Sequence, residues 1–171
     1  MIYYLQACRV PKKQNLNFLF TPIKKGIGMC EKLILLVEDN PDDEILAVRV
    51  LTQEKVINHT MVVRDGQEAL DYLFYEGAFS DRTLGNPQVI LLDLKLPKVN
   101  GIDVLQKIRT SESTKLIPVI ILTSSQHELD ITASYNGGAN AYLVKPVDKE
   151  QFANAIKQFL LYWVDLTKSL E

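Results

Sequence analysis

Residues 33–44 read LILLVEDNPDDE: an apolar run is followed by three polar residues, a proline and three acids. The run Leu33–Val37 is continuously apolar and rich in Leu, Ile and Val, which is typical of a parallel strand covered on both faces. Asn40 can cap a helix that begins at Pro41, and the acids that follow complement the positive end of that helix. The stretch therefore predicts a buried strand, a polar strand end and a helix.

The same alternation of strand and helix continues along the chain. Further apolar runs lie at Val89–Leu92, 117–122 and Ala141–Val144, and a more mixed run at His59–Val63 is typical of an edge strand. Amphipathic segments separate them, and in the last one, 152–163, apolar residues recur at helical spacing. Five such units predict an α/β fold: a flavodoxin-like, doubly wound (βα)5 parallel sheet with strand order 2-1-3-4-5.

Composition and charge exclude several classes of protein. The 171 residues are 47% hydrophobic and 23% charged, as in a globular domain. Residues 31–171 carry 14 basic and 21 acidic side chains, and this acidic balance argues against nucleic-acid binding. No apolar run approaches the ~18 residues of a membrane helix. The two cysteines, Cys8 and Cys30, predict no disulfide framework and fit a reducing cytoplasm.

The first 30 residues differ from the rest of the chain. They have no clear period, and they carry five basic side chains and no acidic one. We interpret residues 1–30 as an arm, either disordered or a mis-assigned start with Met29 as the true first residue, and 31–168 as the folded domain. A second interpretation is a basic arm for an acidic partner or a membrane surface.

Charged and hydroxyl side chains follow four of the predicted strands. They are Glu38 and Asp39, Asp93, Thr123 and Lys145. In a doubly wound sheet the carboxyl ends of the strands meet at one edge, where ligands bind. Three carboxylates without histidine or cysteine favour Mg²⁺ over zinc, and a metal beside a lysine suits phosphoryl oxygens.

The chemistry that this pattern favours is transfer of a phosphoryl group to a carboxylate. Asp93 is the candidate nucleophile, and Glu38 and Asp39 are the candidate Mg²⁺ ligands. The Thr123 hydroxyl and the Lys145 ammonium would meet the phosphoryl oxygens. Neither a G-x-x-x-x-G-K-[ST] nor a G-x-G-x-x-G motif is present, so no nucleotide cradle is predicted.

Four short motifs at these strand ends resemble the receiver domains of two-component response regulators. They read LVEDNPDD at 36–43, LDLKLP at 92–97 with Gly101 four residues further on, LTSS at 122–125 and YLVKP at 142–146. Each motif alone is weak, but four in this order, each at a predicted strand end, are highly specific. The resemblance covers about residues 32–165.

The resemblance implies that a histidine kinase donates a phosphoryl group to Asp93. It also implies a metal contact through the backbone carbonyl of Lys95, a switch pair of Thr123 and Tyr142, and a cis peptide bond between Lys145 and Pro146. A protein of this kind catalyses only its own phosphorylation and dephosphorylation. Its output would pass through protein contacts.

A narrower resemblance is to the stand-alone regulators of cyanobacterial phytochromes. It rests on the long connection at 77–87 and on the apolar extension of the last helix at 159–166. It implies a phytochrome-like kinase and a homodimer. Leu161, Tyr162 and Val164 lie off the main apolar stripe and are the candidate interface, unless they cover the sheet edge or contact the arm.

Other interpretations stay open. A Mg²⁺-dependent phosphohydrolase often has a second acid two residues past its nucleophile, where this chain has Lys95. A pseudo-receiver, which only binds, usually lacks an acid, threonine or lysine that this chain has. Tyr142 can be an ordinary half-buried strand residue. Asp42 and Asp43 are interpreted as first-turn helix acids rather than metal ligands.

Overall fold

The computed structural model of the chain describes residues 7–9, 33–53, 59–124, 128–145, 154 and 158. The strands are β1 (Ala7–Arg9), β2 (Leu33–Val37), β3 (His59–Val63), β4 (Val89–Leu92), β5 (Val119–Thr123) and β6 (Ala141–Val144). The helices are α1 (Pro41–Gln53), α2 (Gly66–Phe74), α3 (Gly101–Thr110) and α4 (Glu128–Asn136), with a short 3₁₀ helix at Gly77–Phe79.

One parallel sheet contains the six described strands, in the order β1-β3-β2-β4-β5-β6. Counted from Leu33, five of them run 2-1-3-4-5, which confirms the predicted flavodoxin-like order. Side chains of β2 alternate between two cores, as the pleat requires. Leu35 belongs to the core shared with α2 and α3, and Leu36 to the core shared with α1. Helices therefore cover both faces of the sheet.

The prediction that His59–Val63 is an edge strand is wrong. β1 pairs with it in parallel, and Ala7 lies opposite Thr60 and Arg9 opposite Val62. Cys8 therefore lies in the sheet, although the sequence places it in an irregular arm. A strand of three residues is too short for hydrophobic periodicity to reveal.

The strand predicted at 117–122 begins two residues later, at Val119, and ends at Thr123. Pro118 has no backbone N–H and so cannot donate to a sheet ladder, although its carbonyl accepts a hydrogen bond from the Ile90 amide at 2.9 Å. The shift makes Thr123 the last residue of β5.

Side-chain caps begin three of the described helices. Asn40 Oδ1 accepts a hydrogen bond from the Asp42 amide at 2.9 Å, which confirms the predicted cap of α1. Asp65 accepts one from the Glu68 amide at 2.8 Å, and Asn100 accepts one from the Asp103 amide at 3.0 Å. The first two caps lie within three residues of the strand ends at Val37 and Val63, so little chain separates each of these strands from the next helix.

Some predictions lie outside the described residues. They are the cis peptide bond at Pro146 and the candidate interface at Leu161, Tyr162 and Val164. Of the predicted last helix, Asn154 and Gln158 are described; both are helical and exposed, at positions that the apolar stripe omits. Within the ranges given above, no helix has the length and apolar character needed to cross a membrane.

Two glycines, at the first positions of α2 and α3, let the loop after β4 pack closely against these helices. The Gly101 amide donates to the Leu94 carbonyl at 2.8 Å, and a Cβ on Gly101 would lie 2.2 Å from the Asp93 carbonyl oxygen. A Cβ on Gly66 would lie 1.9 Å from the Val99 carbonyl oxygen. The backbone that carries Asp93 is therefore packed against α2 and α3 with no room for a side chain at either glycine.

We predict that Gly101→Ala destabilises the protein by about 3 kcal/mol or more, because the added methyl group would meet backbone atoms that cannot rotate away. Chemical denaturation measures the free energy of unfolding. Gly85→Ala is the matched control, since a Cβ on Gly85 would have no other atom within 4 Å, and it should change stability by less than about 0.5 kcal/mol. Equal stabilities for the two variants would contradict the close packing at Gly101.

Candidate functional site

The parallel register of β2 and β4 brings two acidic strand ends together. Val37 lies opposite Leu92, so Glu38 and Asp93 are the next residues of two neighbouring strands. The Asp93 amide donates to the Val37 carbonyl at 3.0 Å, and the Glu38 amide donates to the Val63 carbonyl at 3.0 Å. Backbone hydrogen bonds thus fix the positions of both residues before their side chains make any contact.

Three carboxylates form the acidic cluster of the site. Oxygens of Glu38, Asp39 and Asp93 lie within 4.8 Å of one another. Glu38 and Asp93 are only 1% and 7% exposed, whereas Asp39 faces solvent. The cluster is therefore buried on one side and open on the other, and its oxygen ligands suit a hard divalent cation such as Mg²⁺.

Lys145 is the cation that contacts this cluster. Its amide donates to the Thr123 carbonyl at 2.7 Å, which extends the pairing of β5 and β6 by one residue. Its Nζ donates to Asp93 Oδ2 at 3.0 Å and to Glu38 Oε2. The side chain is 13% exposed, so the ammonium group is largely screened from water.

A third carboxylate, from Asp43, also pairs with Lys145. Asp43 lies in the first turn of α1, as the sequence predicts, and its Oδ2 lies 3.1 Å from Lys145 Nζ. Sequence reasoning identified Asp43 only as a helix acid and missed this ion pair. The available signal was its position in the LVEDNPDD motif, one turn after Asp39.

The charges at the site perturb two ionisation equilibria. Burial raises the pKa of Glu38 to about 7; Lys145 opposes this shift and the negative charge of Asp93 adds to it. Burial by itself lowers the pKa of Lys145, but the hydrogen bonds to Glu38 and Asp93 outweigh it and raise that pKa. Lys145 is thus held in its charged form, and the site has more carboxylates than cations.

The Asp93 carboxylate is oriented from two directions. The Lys95 amide donates to Oδ1 at 3.2 Å while Lys145 binds Oδ2. The Lys95 side chain is exposed. The carboxylate plane is therefore held by one backbone donor and one ammonium group, each on a different oxygen.

Thr123 and Tyr142 lie on neighbouring strands near the site. Thr123 is fully buried at the end of β5, and Tyr142 lies opposite Ile121 in β6. Because side chains alternate along a strand, Thr123 and Ile121 face the same side of the sheet, and Tyr142 packs in the same core as Ile121. The structure thus places the predicted switch pair on one face. Tyr142 is half-buried, which also fits the alternative interpretation that it is an ordinary strand residue.

Two further ion pairs, which the sequence did not reveal, join neighbouring elements of the fold. Arg64 donates to both carboxylate oxygens of Glu44, at 2.9 and 3.0 Å, and so joins the end of β3 to α1. Lys98 Nζ lies 2.5 Å from Asp65 Oδ2. This second pair joins the loop that follows Asp93 to the N-terminus of α2.

Comparison with known proteins agrees with this geometry. The family model described as the response regulator receiver domain matches residues 34–157. Among solved structures, the bacteriophytochrome response regulator RtBRR is 56% identical, with 74% of this chain and 76% of that chain covered and a TM-score of 0.67. The phosphorylated cyanobacterial phytochrome response regulator RcpA is 38% identical, with coverages of 79% and 95% and a TM-score of 0.71.

A third relative is response regulator Rcp1 of Synechocystis sp. It is 35% identical over 134 residues, which cover 78% of this chain and 90% of Rcp1. The structure of its Mn²⁺-bound form covers 77% of this chain and 94% of that one, with 37% identity and a TM-score of 0.68. These findings confirm the resemblance predicted from the four motifs. The chain therefore belongs to the response regulator receiver domain family, and phytochrome response regulators are among its relatives.

Proposed function

We propose that this chain accepts a phosphoryl group on Asp93 from the phosphohistidine of a histidine kinase and signals through altered protein contacts. The observation that supports the proposal is the convergence of Glu38, Asp39, Asp93 and Lys145 at one edge of the sheet. The receiver domain family uses this chemistry. In this role the chain is a signalling module, and its chemistry is limited to the phosphorylation and dephosphorylation of its own Asp93.

In the proposed reaction, a carboxylate oxygen of Asp93 attacks phosphorus and forms an acyl phosphate. The bond between phosphorus and the histidine nitrogen breaks, and its electron pair stays on the nitrogen. The Lys145 ammonium and the Thr123 hydroxyl would donate hydrogen bonds to the phosphoryl oxygens. The Lys95 amide holds the other carboxylate oxygen and thereby keeps the nucleophile in one orientation.

The carboxylate cluster fits a resident Mg²⁺. Three oxygens within 4.8 Å and an excess of acidic groups favour an added positive charge. Glu38, Asp39 and Asp93 would hold the ion, with the Lys95 carbonyl as a further ligand. When bound, Mg²⁺ supplies positive charge to the phosphoryl oxygens.

Output would follow from the switch pair. In this proposal, Thr123 moves to bond a phosphoryl oxygen and Tyr142 turns inward into the vacated space. The face formed by α4, β6 and the last helix then changes shape. The exposed Lys95 at the position of a hydrolase's second acid gives no support to the phosphohydrolase interpretation. The pseudo-receiver interpretation also gains no support, because a protein that only binds does not need the complete set of acids, Thr123 and Lys145.

We expect the wild-type chain, incubated with labelled acetyl phosphate and Mg²⁺, to take up label that hydroxylamine releases, as an acyl phosphate should. Asp93→Asn should take up none, because an amide oxygen is a far weaker nucleophile. Gel autoradiography measures the label, and a chelator should suppress it in the wild type. Asp81→Asn, an exposed acid elsewhere, is the control and should label normally. Full labelling of Asp93→Asn would refute the assignment.

We further propose that the cognate kinase is phytochrome-like, since a bacteriophytochrome response regulator shares 56% identity with this chain. A phosphorylated bacteriophytochrome kinase should transfer its phosphoryl group to this chain at least about 100-fold faster, as kcat/KM, than an unrelated histidine kinase. A specificity of that size corresponds to roughly 3 kcal/mol of differential binding. Equal rates from the two kinases would remove support for the phytochrome link.

Finally, we propose a homodimer whose interface includes Leu161, Tyr162 and Val164. Sedimentation velocity, with and without beryllofluoride as a phosphoryl mimic, should show a dimer in at least one of the two states. Leu161→Glu should shift it to monomer by placing a charge in an apolar contact. Gln158→Glu adds the same charge at an exposed helical position and should not. A wild-type chain that stays monomeric in both conditions would exclude the dimer.

A further inference from the structure

We infer that Asp43 is a positioning residue that holds Lys145 on the α1 side of the site in the unphosphorylated protein and thereby slows phosphorylation of Asp93. The inference rests on the proposed function, because it concerns the lysine that would bind the phosphoryl oxygens. It gives Asp43 a role separate from binding the metal and from accepting the phosphoryl group.

The geometry around Lys145 supports this role. Its ammonium group has three N–H donors and lies within ion-pair distance of three carboxylates. Glu38 and Asp93 accept hydrogen bonds from it, and Asp43 Oδ2 lies 3.1 Å away. Before any phosphoryl group arrives, the positive charge of Lys145 is therefore shared among three negative partners.

Asp43 differs from the other two carboxylates in its location. Glu38 and Asp93 follow strands of the sheet and are buried, whereas Asp43 lies in the first turn of α1 with a side chain that is 37% exposed. It is also not one of the three residues of the acidic cluster. Its carboxylate can therefore be neutralised without removing a ligand from the candidate metal site or the nucleophile.

Phosphorylation changes what Lys145 must bind. A donor such as acetyl phosphate is an anion, and when the Asp93 oxygen bonds to phosphorus the acetate leaves with the electrons of the broken P–O bond. The phosphoryl group that remains carries a charge of roughly −1.5 to −2. Asp43 repels both the incoming donor and this product, and it competes with them for the Lys145 ammonium. Both effects oppose formation of the acyl phosphate.

Asp43→Asn tests the inference, since the amide keeps the size of the side chain and removes its charge. Asp42→Asn is the matched control: Asp42 lies in the same helix turn, is exposed, and loses the same charge, and none of its described contacts involves Lys145. The measurement is the initial rate of acyl phosphate formation from acetyl phosphate at saturating Mg²⁺. The Mg²⁺ dissociation constant of each variant is measured first by calorimetry.

We expect Asp43→Asn to raise the rate about fivefold, the size expected from removing one partly exposed ion pair. Asp42→Asn should change it by less than about twofold, because the described ion pairs of Lys145 do not include Asp42. Asp43→Glu, which restores the carboxylate, should return the rate toward the wild-type value. Thermal unfolding checks that both asparagine variants are fully folded at the assay temperature.

The outcomes separate the inference from the proposed function. If the wild type takes up phosphate and the two asparagine variants react at equal rates, the pairing of Asp43 with Lys145 has no kinetic role and the inference is wrong. A slower Asp43→Asn variant would also overturn it, because Asp43 would then assist the reaction. If the wild type takes up no phosphate, the proposed function fails and the inference fails with it.

Discussion

Two buried carboxylates, Glu38 and Asp93, lie side by side, and Lys145 pairs with both. Like charges in a poorly solvated site repel each other, and the Lys145 ammonium offsets this repulsion. Backbone pairing of β2 with β4 brings the acids together, and pairing of β5 with β6 delivers the lysine. The topology of the sheet therefore imposes the charge cluster, and the cluster in turn favours an added cation.

The surrounding structure keeps this cluster in place. Gly101 and Gly66 let the loop after Asp93 pack directly on backbone atoms, and the Asp65–Lys98 pair ties the same loop to α2. Arg64 and Glu44 join α1 to the end of β3. The backbone around Asp93 is thus closely packed, and the Lys95 amide and the Lys145 ammonium hold its carboxylate in one orientation. Exposure of Asp39 leaves an opening to solvent.

Local sequence patterns predicted much of this fold accurately. The bounds of β2, β4 and β6 match the predicted apolar runs, and those of β3 match the predicted mixed run. β2 and β4 are buried along their whole length, and such strands of a parallel sheet need uninterrupted apolar side chains. The predicted start of β5 was two residues too early, because hydrophobicity does not show that Pro118 lacks a backbone N–H. β1 was missed, since three residues carry too little periodicity. The cap at Asn40 was readable because its partner, the Asp42 amide, lies two residues away.

The candidate site also combines features that local sequence predicts with contacts that it does not. The amino-acid sequence by itself determined the strand ends, the acids, threonine and lysine placed there, and the motifs that identify the family, because each of these is set by residues close together in the chain. Only the tertiary structure decided which of those groups touch. Lys145 meets Glu38 across 107 positions and also reaches Asp43 on α1, and neither contact has a local signature. Such pairs form because right-handed crossovers bring distant strand ends to one edge, where unlike charges then select their partners.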